Sequence, residues 1–314
     1  MNTSASALGL LVDALDLRDL GSRQFLGPPA ERRLPRLFGG HVLAQALIAG
    51  GRTVPGGRQA NSVHALFLRG GDSTESVEYE VDVLRDGRSF SARAVTARQA
   101  GQSIATVQLS FAAEDTGPEH QMASHPAATP PEHLPDLQQR LRPDLDRLPS
   151  WWTDPHPFDI RFVDVPDALA AGGLRAPEQE FWLRAAGDVP EDPLCHAALL
   201  TYASDLNLLD PALLPHARSW YGSRIMGGAS VDHAMWFHRP VSIDEWILCR
   251  QESPVATRGR CLCTATFDTA GGILVASAAQ EGVLREPAGS SDQTGAISDS
   301  SAKNHTMLPM KSSS

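Results

Sequence analysis

The sequence predicts an α+β protein made of two tandem units, each an antiparallel sheet wrapped around a long central helix. Two stretches are apolar on nearly every side, which is typical of buried helices rather than surface helices. Each stretch is followed by several strand-like segments. Landmarks in the two halves recur at one spacing: Phe67 and Phe237, like Gly101 and Gly271, lie 170 positions apart. The equal spacing indicates duplication of one helix-and-sheet unit.

The first unit begins with an amphipathic helix predicted within 6–21, a segment that carries three aspartates. It lacks a basic region and a cleavage site, so we do not interpret it as a signal peptide. The first central helix is predicted over Gly40–Ala49. Four strands are predicted after it, with a hairpin-turn signal at Asp86-Gly87: Ser62–Arg69, Val77–Leu84, Ser89–Arg98 and Ser103–Ala112.

The second unit is predicted to follow the same plan around a helix over Pro193–Leu208. Asp192 is a favoured N-cap, and proline suits the first helical position because its missing N–H would be unpaired there. Asp205 lies inside this apolar helix, where an ionised carboxylate needs hydrogen-bond partners, a shifted pKa or a wet cavity. Strands are predicted at Phe158–Val165, Glu180–Ala185, Ser230–Phe237, Trp246–Glu252, Arg260–Phe267 and Ile273–Leu284.

Four regions are expected along the chain. Residues 1–114 form the first unit, and residues 158–286 form the second unit, which carries the candidate catalytic residues. Residues 115–157 are rich in Pro, His and Asp and are predicted to be a connector that crosses the surface. Residues 287–314 are rich in Ser and Gly without an apolar stripe, and we expect them to be disordered.

Composition and charge argue against several classes of function. The chain has 314 residues, of which 42% are hydrophobic and 20% charged, and its net charge is −10. An acidic chain is a poor partner for nucleic acid or an anionic membrane, and no apolar run reaches the length of a membrane span. The four cysteines lack zinc-ligand spacing and are expected to be reduced core or strand residues of a cytoplasmic protein. We predict neither a metal nor a cofactor.

Three polar residues draw attention as candidates for chemistry: Asp205, Ser230 and Gln280. Gln280 shares a predicted strand face with small and apolar residues, so its amide needs hydrogen-bond partners. Asp205 and Gln280 each have a plain structural interpretation too, as a buried acid tied to a loop and as a strand end facing solvent. His233 is interpreted as a core histidine bonded to backbone, and His64 as its counterpart in the first unit.

Six short motifs, in this order along the chain, resemble those of a known family: LFGGHVLAQAL, FLRGGD, LRDGRSFSAR, YASDLN, VDHAMWFHRP and VASAAQEGVLR. Together they resemble the type II acyl-CoA thioesterase family over roughly residues 8–285. The resemblance implies a double hotdog fold and the hydrolysis of acyl-CoA to a free fatty acid and CoA.

The resemblance also implies roles for individual residues. A carboxylate, a hydroxyl and an amide hold the attacking water in this family, and the matching positions are Asp205, Ser230 and Gln280. Many relatives have Thr in place of Ser230, a departure that keeps the hydroxyl. Other departures fall in the first unit and concern substrate detail: His41, Asn61, Leu66 and Gly70.

Substrate contacts are expected mainly in the first unit. Backbone amides at the start of its central helix can polarise a carbonyl, although glycines there can equally serve tight packing. CoA phosphates call for arginine at strand ends or a hairpin tip, with simple solvation as the alternative for each. The candidates are Gly39, Gly40, His41, Arg69, Arg85 and Arg88. The first central helix carries no acid, so we expect its equivalent site to be inactive.

Thioester chemistry agrees with this assignment, because CoA thiolate is a good leaving group, with a thiol pKa of about 8.5 expected from cysteine. Two alternatives from other classes stay open: a non-catalytic acyl-CoA-binding or sensing protein, and an enoyl-CoA hydratase-like enzyme. Release of free thiol from acyl-CoA separates the first hypothesis from both. Exposed sheet edges and the resemblance predict a homo-oligomer, either a dimer or a tetramer.

Overall fold

The computed structural model describes residues 6–30, 36–122, 128–142, 148, 154–163, 174–220 and 227–285. Within these ranges, thirteen strands form one antiparallel sheet, and two long buried helices pack on its inner face. The predicted α+β class and the plan of two helix-and-sheet units are confirmed. The tail predicted to be disordered, 287–314, lies outside the described residues.

The first unit contains two helices and six strands. An N-terminal helix, α1, covers Ala7–Leu15 with Ser6 as its N-cap, and the central helix, α2, covers Gly39–Gly51. Every residue of α2 from Gly40 to Gly50 is buried, as its apolar sequence predicts. The strands are β1 Arg18–Gly21, β2 Gln24–Gly27, β3 Arg58–Phe67, β4 Val77–Asp86, β5 Phe90–Gln99 and β6 Gln102–Ala113.

The connector contributes a short 3₁₀ turn and a one-turn helix, α3, over Leu137–Leu141. The central helix of the second unit, α4, covers Pro193–Ser204, and Asp192 caps it through a bond from the Leu194 N–H of 3.0 Å. The strands are β7 Phe158–Phe162, β8 Glu178–Ala185, β9 Gly227–Ser230, β10 Asp232–Phe237, β11 Ile247–Thr257, β12 Arg260–Thr269 and β13 Leu274–Arg285.

The sheet shows the duplication directly. Its strand order is β1-β2-β4-β5-β6-β3-β10-β13-β12-β11-β8-β7, with β9 paired to β13. Outward from the central β3–β10 pair, equivalent strands follow in the same order on both sides. His64 lies opposite Ala234, its counterpart at the 170-residue offset, so a pseudo-twofold axis passes through this pair.

The two central helices cross antiparallel beneath the middle of the sheet. A Cβ on Gly40 would lie 2.5 Å from the Tyr202 carbonyl oxygen, and a Cβ on Gly51 would lie 2.5 Å from a Leu194 methyl. The start of α2 therefore meets the end of α4, and the end of α2 meets the start of α4. This close packing brings the end of each helix to the other unit.

Strands β1 and β2 were not predicted from the sequence, and the strand predicted over Ser230–Phe237 is divided into β9 and β10. Two further differences concern the candidate site. Helix α4 ends at Ser204 rather than Leu208, so Asp205 follows the helix as its C-cap, and Asn207 adopts a left-handed conformation with φ of 59°. The second correction concerns His64, which is exposed, whereas His233 is fully buried. Strand register makes buried Val63 the counterpart of His233.

Candidate active site

The three predicted catalytic residues meet where the end of α4 approaches β9 and β13. The Gln280 Nε2 group donates to Asp205 Oδ1 and to Ser230 Oγ, each at 2.6 Å. Gln280 is buried at 1% exposure, whereas the Asp205 side chain is 5% exposed. The amide therefore joins the carboxylate and the hydroxyl into one group with a narrow opening to solvent.

The first unit completes the surroundings of the carboxylate. The Gly40 N–H, in the first turn of α2, donates to Asp205 Oδ2 at 2.8 Å. The positive end of the helix dipole favours a negative charge at this place. A Cβ on Gly39 would lie 2.7 Å from the same oxygen and 2.9 Å from the Phe67 ring, so only glycine leaves room for the carboxylate. The site therefore requires both units.

Burial raises the pKa of Asp205 to about 6, and the hydrogen bonds from Gln280 and Gly40 oppose that rise. A carboxylate with this pKa is ionised at neutral pH and yet is a stronger base than an ordinary aspartate. Such a value is suited to a general base that takes a proton near neutral pH.

His233 lies behind the carboxylate on β10. Its Nε2 is 2.9 Å from Ser204 Oγ, and its Nδ1 is 3.9 Å from Asp205 Oδ1. Burial lowers the pKa of His233 to about 4, and Gln280 opposes that effect, so the ring is neutral at neutral pH. The sequence interpretation of a core histidine is correct, but its bond goes to the Ser204 side chain, and its closeness to Asp205 was missed.

A cavity of about 320 Å³ opens beside this group. Of the predicted residues, Gly39, Arg69 and Ser230 line it. Sequence analysis missed Arg36, an exposed side chain that also lines the cavity beside Gly70. The rest of the lining is largely apolar or glycine: Leu37, Val42, Phe67, Leu68, Gly70, Gly71, Ile104, Ala105, Gly228 and Ala229.

The other predicted substrate-binding residues lie away from the cavity lining. His41 is buried in the first turn of α2, where burial lowers its pKa to about 4 and the Pro28 backbone opposes that effect. Arg85 and Arg88 are exposed at the β4–β5 hairpin, and their carbonyls accept from Arg93 and Arg58 respectively.

Arg69 has a structural contact as well as its place at the cavity. It donates from Nη1 to the Ser103 carbonyl at 2.8 Å, and Arg239 in the second unit donates to the Leu274 carbonyl at the same distance. Because both units have this bond, we infer that it has a structural role. Only Arg69 of the two arginines lines the cavity.

The duplication also defines an equivalent position at the other crossing of the helices. Arg52 caps α2 there, as Asp205 caps α4. Its guanidinium donates to the Leu17 carbonyl at 2.6 Å and to Asp16 at 2.8 Å.

Strand register identifies the remaining counterparts. His64 is paired with Gln108, and Ala234 with Ala279, so β6 and β13 correspond at an offset of 171. Ala60, Val63 and Leu109 therefore stand where the second unit has Ser230, His233 and Gln280, respectively. None of the equivalent positions carries a carboxylate, a hydroxyl or an amide side chain, and the expectation of a single active site per chain rests on these substitutions.

Two family models match the chain: "Acyl-CoA thioesterase" over residues 156–283 and "Acyl-CoA thioesterase N-terminal domain" over residues 27–112. Acyl-coenzyme A thioesterase 8 from Mus musculus is 38% identical over 264 residues, which cover 80% of each chain. The chain belongs to the acyl-CoA thioesterase II family. The predicted enzyme class, an acyl-CoA thioester hydrolase, is confirmed.

Members of this family also include proteins of known structure. The acyl-CoA thioesterase II TesB2 from Mycobacterium marinum has a TM-score of 0.72 and 37% identity, covering 89% of this chain and 98% of its own. The double hotdog fold is thereby confirmed. A more distant relative, 24% identical over 340 residues and covering 90% of this chain and 97% of its own, is named peroxisomal acyl-coenzyme A thioester hydrolase 1 in Saccharomyces cerevisiae.

The part of the chain that the structure describes has neither a membrane-spanning helix nor a cluster of metal ligands. No helix in that part of the chain is both long and apolar enough to cross a membrane. The same residues contain no group of three or more His, Cys, Asp or Glu side chains arranged to hold a metal ion.

Proposed function

We propose that this protein hydrolyses acyl-CoA by direct attack of a water molecule that Asp205 activates as general base. The observation that supports this mechanism best is the immediate surroundings of the carboxylate. Asp205 is nearly buried, bonded to Gln280 and to the Gly40 amide, and has a pKa raised to about 6. Ser230 links the same group to the cavity.

The reaction needs one proton transfer in each direction. Asp205 takes a proton from water as the water oxygen forms a bond to the thioester carbonyl carbon. The tetrahedral intermediate then collapses, the C–S bond breaks, and the carboxyl returns the proton to the leaving sulfur. Ser230 and Gln280 hold the water in line, so that the attack is effectively intramolecular. The products are a fatty acid and CoA.

The cavity lining supports an arrangement for the substrate. The acyl chain lies against the apolar side chains, which include Leu37, Phe67 and Ile104, with the thioester next to Ser230. Arg36 and Arg69 line the same cavity and supply positive charge for the CoA phosphates. The hairpin arginines predicted from the sequence are a second candidate for this role.

A thiol-release assay over short to long acyl-CoA substrates tests this function. We expect thiol release from the wild-type protein and a loss of roughly 10²–10⁴-fold in kcat for Asp205→Asn, the usual contribution of a general base. KM is expected to change little because most substrate contacts lie elsewhere. An acyl-CoA-binding protein would bind without releasing thiol, and a hydratase would consume enoyl-CoA with its thioester intact.

Two further expectations accompany this function. The site of action is expected to be the cytoplasm, although a yeast relative is named as peroxisomal. The active form is expected to be a dimer or a tetramer, which sedimentation of the purified full-length chain measures directly.

A further inference from the structure

His233 has no role in the reaction as written above, yet it occupies a distinctive place. Its side chain is fully buried, and it contacts both the last residue of α4 and the carboxylate that follows. In the first unit, strand register puts Val63 at the equivalent place, and the residue that caps the central helix is Arg52. The histidine is thus present in the unit that carries Asp205 and replaced by an apolar residue in the other.

The hydrogen bonds of Ser204 favour one tautomer of this ring. Ser204 Oγ donates to the Thr201 carbonyl at 2.8 Å, and a serine hydroxyl has a single proton to donate. With that proton engaged, we assign Ser204 as the acceptor of Nε2–H in its 2.9 Å contact with His233. The other ring nitrogen, Nδ1, consequently carries a lone pair and lies 3.9 Å from Asp205 Oδ1.

Acceptor atoms therefore outnumber donors around the carboxylate. His233 Nδ1 and Gln280 Oε1 are buried and have no hydrogen-bond partner among the described residues. Three groups face the carboxylate: the Gly40 amide of α2, the Gln280 amide of β13 and the His233 ring of β10. Ser230 of β9 accepts a hydrogen bond from Gln280. Within the described ranges, His233 is the one basic side chain within 4 Å of Asp205. The group thus has capacity for one further proton.

We propose, on the basis of the function proposed above, that His233 is a positioning residue for Asp205. Its Nε2–H fixes Ser204 at the end of α4, and its Nδ1 accepts a hydrogen bond from the Asp205 carboxyl once that carboxyl has taken the proton from water. The proton stays on Asp205 until the leaving thiolate takes it, and the ring stays neutral throughout.

The distance between His233 Nδ1 and Asp205 Oδ1 agrees with this role. Two acceptors 3.9 Å apart cannot form a hydrogen bond. A proton on Asp205 Oδ1 makes that oxygen a donor, so the contact then shortens. Catalytic hydrogen bonds are commonly long before substrate binds and tighten during the reaction. Burial lowers the pKa of His233, which keeps the ring available as a neutral acceptor.

Two substitutions separate the two contacts of the ring. His233→Gln keeps an N–H within reach of Ser204 and removes the acceptor at Nδ1. His233→Asn keeps an amide oxygen near the Nδ1 position and gives up the contact with Ser204. The measurements are the pKa of Asp205, from its carboxyl ¹³C chemical shift without substrate, and the acidic limb of kcat against pH with acyl-CoA.

We expect His233→Gln to lower the pKa of Asp205 and shift the acidic limb by roughly half to one unit, the effect of losing one net hydrogen bond to the protonated form. His233→Asn is expected to keep both values near wild type while lowering the melting temperature. Val63→Ala, a core truncation at the equivalent place, controls for destabilisation and should move neither value.

An unchanged Asp205 pKa in folded His233→Gln would overturn the proposal. An equal decrease in both variants would also overturn it, because the ring would then act through Ser204 alone. The chemical-shift titration needs no turnover, so failure of the proposed hydrolysis, seen as no thiol release by wild type, is distinguished from failure of this proposal.

Discussion

At the scale of the residue, the cost of burying Asp205 is measurable as a dependence of stability on pH. Its pKa is about 6 in the folded chain, against an ordinary value of 3.8 for aspartate. Between these values the native state binds more protons than the unfolded state, so the free energy of unfolding falls as pH rises. At about 1.36 kcal/mol per unit, the total decrease is about 3 kcal/mol, complete above pH 6.

Asp205→Asn is the variant that isolates this effect, because asparagine does not titrate. The Gln280 carbonyl oxygen, which has no partner among the described residues, can accept from the new amide if the Gln280 amide turns over. We expect the free energy of unfolding of the variant, relative to wild type, to increase by up to about 3 kcal/mol as the pH rises from 4 to 7. Urea unfolding at several pH values measures the difference, and a constant difference would contradict the assigned pKa.

The three residues proposed to be catalytic could be predicted from the sequence, but the residues around them could not. Asp205, Ser230 and Gln280 come from separate segments, and their hydrogen bonds to one another agree with their selection as a set. The Gly40 amide and the His233 ring were missed as partners of Asp205 because those contacts depend on how the two units cross. Such crossings leave no local pattern in the chain.

At the scale of the element, the crossing of α2 and α4 determines where the carboxylate lies. Gly39→Ala would place a methyl 2.7 Å from Asp205 Oδ2 and 2.9 Å from the Phe67 ring. Because alanine is a better helix former than glycine, we expect the fold to survive while Asp205 is displaced. The expected result is a kcat lower by roughly tenfold or more with KM less affected.

Gly51→Ala is the matched control at the other crossing. Its methyl would lie 2.5 Å from a Leu194 methyl, a side-chain end that can rotate away, far from the carboxylate. We expect it to lower the melting temperature and leave kcat unchanged. Equal loss of kcat in both variants would mean that the crossing as a whole, rather than the space around Asp205, governs activity.

Helices and strands were predicted well where the apolar pattern is strong. They were predicted poorly where contacts between the two units determine the end of a helix or the register of a strand. The apolar run past Ser204 suggested four more helical residues, but Asn207 turns left-handed and the chain leaves the helix. Matching His64 to His233 by sequence put the strands out of register by one residue. A one-residue shift exchanges the two faces of a strand, which is why His64 is exposed.

At the scale of the whole molecule, we expect the duplicated chain to have one active site, built from residues of both units. The helix dipole of the first unit supports the carboxylate of the second unit. The reciprocal position holds Arg52, Ala60 and Leu109. Each unit therefore contributes to the same candidate site in a different way, the first with a helix start and much of the cavity, and the second with the side chains proposed to be catalytic.

The last prediction concerns how a chain with a net charge of −10 holds a polyanionic substrate. Long-range repulsion opposes binding, so local positive charge at the cavity must offset it. We expect Arg36→Gln combined with Arg69→Gln to raise KM for acyl-CoA roughly tenfold at low salt and to weaken the dependence of KM on salt. The measurement is KM between low and high ionic strength.

Matched variants make this test specific. Arg85→Gln with Arg88→Gln changes the net charge equally at the exposed hairpin, and Arg239→Gln removes the second-unit equivalent of the Arg69 carbonyl bond. We expect neither variant to change KM, because none of the three side chains lines the cavity, although Arg239→Gln should reduce stability. A rise in KM in the hairpin variant alone would instead place the phosphates at the hairpin, and no rise in any variant would refute arginine recognition of CoA at both places.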